Sequence, residues 1–215
     1  DTPVMRNAIA RHYEQVVETD EQVGAILAGL KEYGLWENTI VIFFTDHGSP
    51  LPRSKQFLFE EGTKVPLIIR FPKNFDAPAE PGSVRSDLVN GIDITATTLA
   101  LAGLETPETV EGHDLFAEGY TGQSYVITAR DRCGIAVDRI RSVRTERFRY
   151  IRNYMHDRAL YQSQYRDGFA SIVELKKQFS EGNLTPLQAS YHEAESRPKE
   201  ELYDLEADPD QVTNL

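Results

Sequence analysis

The sequence predicts an α/β fold, and three features carry that prediction. A helical period covers residues 6–33, an unbroken apolar run covers 39–45, and a second covers 65–71 after a long loop. Helix, strand, loop and strand in this order indicate a sheet flanked by helices. The second half of the chain differs: it carries the short strands and helices of a smaller α+β unit with an antiparallel sheet.

Within 6–33, Ile9, Tyr13, Val16, Val23, Leu27 and Leu30 recur at helical spacing, and Gly34 stands where a helix closes. Asp20 falls on that apolar stripe with Gly24 beside it, which predicts a buried hydrogen bond and a close backbone approach. Residues 39–45 are β-branched or aromatic without alternation, the pattern of a central strand covered on both faces. The run stops at Asp46-His47-Gly48. A loop rich in Pro, Ser and Arg precedes the second strand, which carries Pro66 near its start. Residues 73–82 form a polar, Pro-rich surface loop, and 92–101 a short helix with Asp93 as its cap and Gly103 at its close. Abundant Gly, Pro and Glu without a clear period across 106–122 mark a boundary between units 1–105 and 106–215. Beyond it, 124–128, 140–144 and 147–152 are short strands, the last two joined by a tight turn near Thr145-Glu146. Helices follow at 172–179 and 186–195, and 201–205 is a terminal strand.

With 23 Lys and Arg against 34 Asp and Glu, the 215 residues carry a net charge of −11. That balance argues against a nucleic-acid partner, because affinity for phosphate backbones rests on concentrated basic residues. At 40% hydrophobic the chain has enough apolar residues for a packed core. The single cysteine, Cys133, excludes an internal disulfide and a multi-cysteine zinc site. No apolar run reaches the roughly 18 residues of a membrane-spanning helix, so no transmembrane segment is expected. The chain opens Asp1-Thr2-Pro3 and runs at once into helix, without an initiator Met or a basic segment followed by an apolar one. A fragment or a processed product is expected.

The strongest chemical signal is Asp46-His47-Gly48, because open α/β sheets bind ligands at the carboxyl ends of strands and Gly lets the chain turn sharply away. A carboxylate and an imidazole suit a divalent cation, one supplying charge and the other a directional nitrogen. The alternative is a loop-capping Asp46 and an ordinary hydrogen-bonded His47. Arg53 and Lys55 follow in the same loop, and two cations there suit a tetrahedral anion such as sulfate or phosphate. Here the alternative is a solvated surface loop.

In this order the elements resemble the sulfatase family of the alkaline-phosphatase superfamily. The resemblance begins at Asp1-Thr2-Pro3 and Arg6, continues through Tyr13, Asp20, Val23-Gly24 and Leu30, and takes in Asn38-Thr39-Ile40-Val41, Thr45-Asp46-His47-Gly48 and Lys55. It extends through Glu61-Gly62, Val65-Pro66-Leu67-Ile68, Asp93, Thr97 and Ala102-Gly103 to Glu201-Leu202-Tyr203-Asp204-Leu205-Glu206-Ala207-Asp208-Pro209, and residues 153–198 match least. The compact loop 49–55 is most similar to the heparan N-sulfatase (N-sulfoglucosamine sulfohydrolase) branch. The resemblance implies part of a sulfatase-type central sheet flanked by helices, followed by a C-terminal α+β subdomain. It implies that Asp46 and His47 ligate a divalent metal, usually calcium, and that Lys55 contacts the sulfate group. Many members carry Asn in place of His47, and since calcium prefers oxygen donors, manganese and zinc stay open.

The family's nucleophile is a formylglycine made from Cys or Ser in a Cys/Ser-x-Pro-x-Arg motif, and the sequence contains no such motif. Cys133, in Arg132-Cys133-Gly134-Ile135, reads as a small structural residue. The motif, the paired aspartates that complete the metal site, and the Lys and His that assist the nucleophile and leaving group belong to a part of the family fold that precedes Asp1. The chain is therefore expected to be the C-terminal portion of a sulfatase, inactive alone and partnered by the missing N-terminal half. The implied reaction is hydrolysis of a sulfate ester or sulfamate on a glycan or other small sulfated substrate. Residues 130–166 hold ten Arg against four acids, and Arg130 and Arg132, placed in a loop after a strand, are candidates to face a sulfated or carboxylated sugar. The alternative is strand arginines paired with acids. His113 and His156 are expected to be structural, and Tyr161, Tyr165 and Phe169, at helical spacing, to lie in the core. Two rival functions fit the same residues: a phosphodiesterase or phosphonate monoester hydrolase, and a noncatalytic sulfatase-like module that binds an acidic glycan. The family is often exported, which implies a periplasmic, extracellular or lysosomal location with any signal upstream of Asp1.

Overall fold

Thr2 starts the first helix: it is extended (φ −123°, ψ 158°), its hydroxyl accepts from the Met5 amide at 3.3 Å, and Pro3 fills the first turn. The computed structural model describes all 215 residues. Helix α1 spans Pro3–Glu32 and ends where Gly34 adopts φ +68° and the Leu35 amide bonds back to Leu30 O at 2.8 Å. It packs against a later helix, α4 (Ala170–Ser180), yet none of its residues is buried. Asp20 is exposed and no atom would touch a Cβ on Gly24, so the buried hydrogen bond and close approach expected there are absent. The apolar stripe is real, but its first half, Ile9, Tyr13 and Val16, faces outward, with Tyr13 67% exposed, and Val23, Leu27 and Leu30 are only half-buried.

Strands β1 (Val41–Phe44) and β2 (Leu67–Arg70) pair antiparallel, Val41 opposite Arg70 and Phe44 opposite Leu67. They form a two-stranded sheet, so the strand expected to be covered on both faces is half-open instead, and Phe44 is 49% exposed. Between them lies one helical turn, α2 (Glu60–Thr63), and after them α3 (Asp93–Leu101). Asp93 is fully buried but does not cap α3 through its first turn. Its carboxylate accepts from the Asn90 and His113 amides and from Gln123 Nε2, tying the segment before the helix to residues 113–123.

The second half is a four-stranded antiparallel sheet in chain order, β3 (Tyr125–Cys133), β4 (Ala136–Thr145), β5 (Phe148–Asn153) and β6 (Glu200–Asp204). The turn at 145–148 is the one expected, closed by Phe148 N donating to Thr145 Oγ1 at 3.0 Å. The β3–β4 hairpin at Gly134-Ile135 goes beyond the short strand expected at 124–128, and it places Arg130 and Arg132 in β3 rather than in a loop. Two helices accompany the sheet: α4, and the single short helix α5 (Pro186–Ser190), which stops well before residue 195.

Alternate residues of β4 point inward, and Ala136, Asp138, Ile140 and Ser142 are buried. The core they help to build draws on both halves of the sequence. Phe57, Leu58 and Phe59, from the loop before α2, pack with Ile140, Ile151, Leu160 and Tyr203. Phe57 meets Tyr161 edge-on at 5.4 Å and Phe59 meets Tyr203 at 6.1 Å. The same inward face holds Asp138, which Arg197 Nη2 bridges at 3.0 Å, and Glu201, which accepts from Tyr203 Oη and Asn153 Nδ2. The mixed α/β class is as expected, and its apolar centre is the place where the 57–59 loop enters the C-terminal sheet. Phe57→Ala should therefore cost about 3–5 kcal/mol, the range for a buried aromatic that leaves a cavity. Guanidinium unfolding of wild type and variant measures it, and a loss below about 1 kcal/mol would show that these residues are not central to the core.

Candidate functional site

Immediately after β1, Thr45 Oγ1 donates to His47 O at 3.3 Å, which turns the chain and brings two adjacent side chains together. Asp46 Oδ1 lies 3.4 Å from His47 Nε2, and the carboxylate is 80% exposed. His47 Nδ1 faces Gly48 O at 2.8 Å, and since a carbonyl only accepts, Nδ1 carries the proton and Nε2 keeps its lone pair in the neutral ring. Two acceptors, Nε2 and Oδ1, thus converge, an arrangement that a shared cation relieves. No group of three or more His, Cys, Asp or Glu side chains is placed to hold a metal. The pair fits part of a divalent cation's shell, and nothing in the chain fits a formylglycine.

Gly48 is required by packing: a Cβ there would lie 1.7 Å from Glu61 O. The close approach lets Gly48 N donate to Gly62 O and pinches the loop 48–62 shut at its base. Inside it, Ser54 Oγ donates to Glu61 O at 2.6 Å, and the Lys55 amide donates to Ser49 O at 2.9 Å. Lys55 is therefore fixed beside the turn that carries His47. Its ammonium makes no ion pair and lies 6.0 Å from the Tyr165 ring centroid.

Buried guanidinium groups hold the rest of the loop. Arg166, 2% exposed, donates from Nη1 to Pro50 O at 2.9 Å and from Nη2 to Lys55 O at 3.2 Å. Arg149 donates to Leu58 O and Ser142 Oγ and pairs with Glu60, which also pairs with Arg144. Gln211, at the other end of the chain, accepts from the Glu60 amide at 2.6 Å.

The sequence-nominated cations separate into two kinds. Arg53 (φ 64°) points inward: its nitrogens donate to Asp210 O and Gln211 O at 2.8 and 2.6 Å, and its head lies 3.9 Å from the Phe59 ring centroid. Arg130 is buried over Phe57, donates to Gln56 O and faces Asp138 at 4.0 Å; burial pulls its pKa below the usual value against that carboxylate's opposing effect. Neither presents donors to solvent beside Lys55. Arg132 is exposed and spends only Nε, on Gly134 O at 2.8 Å. Of the other arginines in 130–166, Arg141, Arg144, Arg147, Arg149, Arg152 and Arg158 all pair with carboxylates, as in the alternative weighed above. Cys133 donates to Gln56 Oε1 at 2.6 Å, and His113 sits 3.5 Å from Asp93, both structural placements. Residues 161–169 form no regular helix: Asp167 N donates to Gln164 O at 3.0 Å and Phe169 N to Arg166 O at 2.9 Å, and these turns leave Gln164 and Arg166 buried while Tyr165 and Phe169 are exposed, so of the three aromatics Tyr161 alone joins the core.

The comparisons with known proteins fit this arrangement. A sulfatase family model matches residues 2–104. Those residues belong to the sulfatase family. An ulvan-active sulfatase of Formosa agariphila is 35% identical over the whole chain, which spans 36% of that protein. Human N-sulphoglucosamine sulphohydrolase is 26% identical, again over the whole chain and 45% of its own length. A solved structure described as a 2-O GAG sulfatase superposes with a TM-score of 0.69 at 21% identity, covering 98% of this chain and 39% of that one. The chain thus spans between a third and a half of these relatives, and its second half, beyond the family model, keeps the fold of the solved sulfatase.

Sequence reasoning missed Arg166, Gln211, Arg149 and Glu60 as determinants of the sulfatase loop. Their partners between the loop and the rest of the chain lie 84 to 151 residues away, so no local spacing marks them. The Glu60 cluster also gives the site a pH dependence. Burial alone would raise the Glu60 pKa, but Arg149 and Arg144 hold it below its ordinary value of 4.5. The unfolded chain then binds the proton more readily, so stability rises with pH: Glu60's contribution is complete above about 4.5 and is lost as pH falls through its lower folded pKa. Glu60→Gln should flatten that acid limb and, by leaving Arg149 buried without its partner, cost about 3 kcal/mol near neutral pH. Unfolding free energies from pH 3 to 7 test this, and an unchanged acid limb would contradict it.

Proposed function

We propose that this chain supplies the metal-ligating pair and the sulfate-contacting lysine of a hydrolase acting on a sulfate ester or sulfamate of a glycan. The observation that carries the reading is the loop 48–62, which begins at the converging Asp46 and His47 and fixes Lys55 beside them through Ser49 O. Asp46 and His47 Nε2 would hold a divalent cation, calcium by family resemblance, with manganese or zinc as the imidazole-tolerant alternatives. Such a cation, when bound, withdraws charge from sulfate oxygens. Lys55 adds a full positive charge and three donors that meet a sulfate oxygen as charge develops on it. The nucleophile is furnished by sequence outside these 215 residues. Sulfated sugars as substrates are supported by the relatives' names and by the Lys55 ammonium, which pairs with no acid. An exported location follows the same family reasoning.

The experiment uses the intact protein that contains this chain, with a sulfate ester, a sulfamate and an aryl phosphonate as substrates. Sulfate release is expected, with kcat/KM reduced about 10²–10³-fold by Lys55→Ala, the size of one lost oxyanion donor. Asp46→Asn should lower both activity and stoichiometric divalent-metal content. Hydrolysis confined to phosphorus esters, or a Lys55→Ala variant within twofold of wild type, would overturn the reading.

A further inference from the structure

Lys55 and the β3–β4 turn that Arg132 bonds meet at one exposed aromatic ring. Tyr165 is 56% exposed although its neighbours Gln164 and Arg166 are buried, so its backbone is anchored while its ring faces out. The Lys55 ammonium lies 6.0 Å from the ring centroid on one side. On another, the β3–β4 turn comes against it: a Cβ on Gly134, which adopts φ +60°, would lie 3.7 Å from Tyr165 Cδ1. Arg132 reaches that same turn, giving Nε to Gly134 O and leaving its two terminal nitrogens without a partner. The Lys55 ammonium thus lies by a half-exposed ring whose neighbours are buried, and the turn that Arg132 bonds comes against the same ring, in a segment where most other arginines are paired with acids.

We propose that Tyr165 is a stacking platform for the pyranose ring of the substrate, and that Arg132 binds a second anionic group on that sugar, a sulfate or a carboxylate. The inference rests on the proposed function, in which Lys55 takes the scissile sulfate. A tyrosine face packs against the apolar C–H face of a sugar and loses little side-chain entropy, since Arg166 and Gln164 already fix its backbone. A sulfate held by Lys55 places the attached ring within reach of the tyrosine. Arg132, bonded to the turn that comes against the same ring, offers the paired donors that a planar carboxylate or a sulfate face accepts. Gly134 contributes by shape, because it brings the turn against the ring edge with no side chain in the way. The sugar class implied is a pyranose with at least two negative groups.

The test uses the intact protein with three probes: a monosulfated pyranose, the same pyranose bearing a second sulfate or a carboxylate, and inorganic sulfate. Tyr165→Ala should raise KM and the calorimetric Kd for both sugars about tenfold, the size of one aromatic contact, while the inhibition constant of inorganic sulfate, which has no ring, stays within twofold. Tyr165→Trp should restore sugar affinity. Arg132→Ala should weaken the doubly charged sugar about tenfold more than the monosulfated one. Equal sugar affinity in wild type and Tyr165→Ala, or an equal loss for inorganic sulfate, overturns the platform whether or not sulfate is released. A wild-type protein that binds the sugars through Tyr165 and releases no sulfate supports the platform and overturns the hydrolase.

Discussion

The guanidinium of Arg166 bonds the carbonyl oxygens of Pro50 and Lys55 from inside the protein, and the geometry around Lys55 depends on that contact. A loop pressed under a sheet cannot send its carbonyl groups to water, and each unpaired one is costly. Arginine answers this with five donors on a planar head. Arg149 does the same for Leu58 O, and Arg53 runs in the opposite direction, from the loop to the carbonyls of Asp210 and Gln211. The loop is thereby stitched to β4, β5, the 161–169 segment and the C-terminal residues, while Phe57, Leu58 and Phe59 fill the core beneath.

This division of labour explains the charge of the second half. Ten arginines in 130–166 look like an anion-binding surface, but most are internal braces or paired with Asp131, Asp157, Glu60, Glu200 or Asp204. A buried guanidinium held by backbone carbonyls or a carboxylate turns its head away from solvent and from a ligand, even where its Nε has no partner, as in Arg53 and Arg130. Lys55 and Arg132, like the exposed Arg139 over the Tyr154 ring, pair with no acid. An overall charge of −11 thus coexists with a small cationic spot at the end of the loop.

Much of this was legible in the sequence. The helix 6–33, both early strands, the β4–β5 turn and the Asp46-His47-Gly48 stop follow from periodicity and turn chemistry, and the structure places them within a few residues. What local pattern failed to give was the direction of faces and the long-range partners. Asp20 lies on a true apolar stripe, but Ile9, Tyr13 and Val16 of that stripe are exposed and Val23, Leu27 and Leu30 only half-buried. Tyr165 and Arg166 are adjacent, one exposed and one among the most buried side chains, and only the turns at 164–169 decide which is which. Arg53 and Arg130 are cations in the right neighbourhood whose heads turn inward because unsatisfied carbonyls and a buried Asp138 are nearer than solvent. Such choices are set largely by tertiary contacts, 74 residues apart for Arg130 with Gln56 and 158 for Arg53 with Gln211, which carry no spacing to read.

The central claim is that the loop bearing Lys55 is part of the C-terminal sheet's cooperative core rather than a surface segment. Native-state hydrogen exchange on the intact protein tests it directly, at the amides of Lys55, Phe57, Gly62 and Thr63 against those paired between β4 and β5. The account predicts that the loop amides open with the same free energy as the β4–β5 amides and respond equally to denaturant. Loop amides that exchange by local fluctuation, several kcal/mol below the sheet, would contradict it.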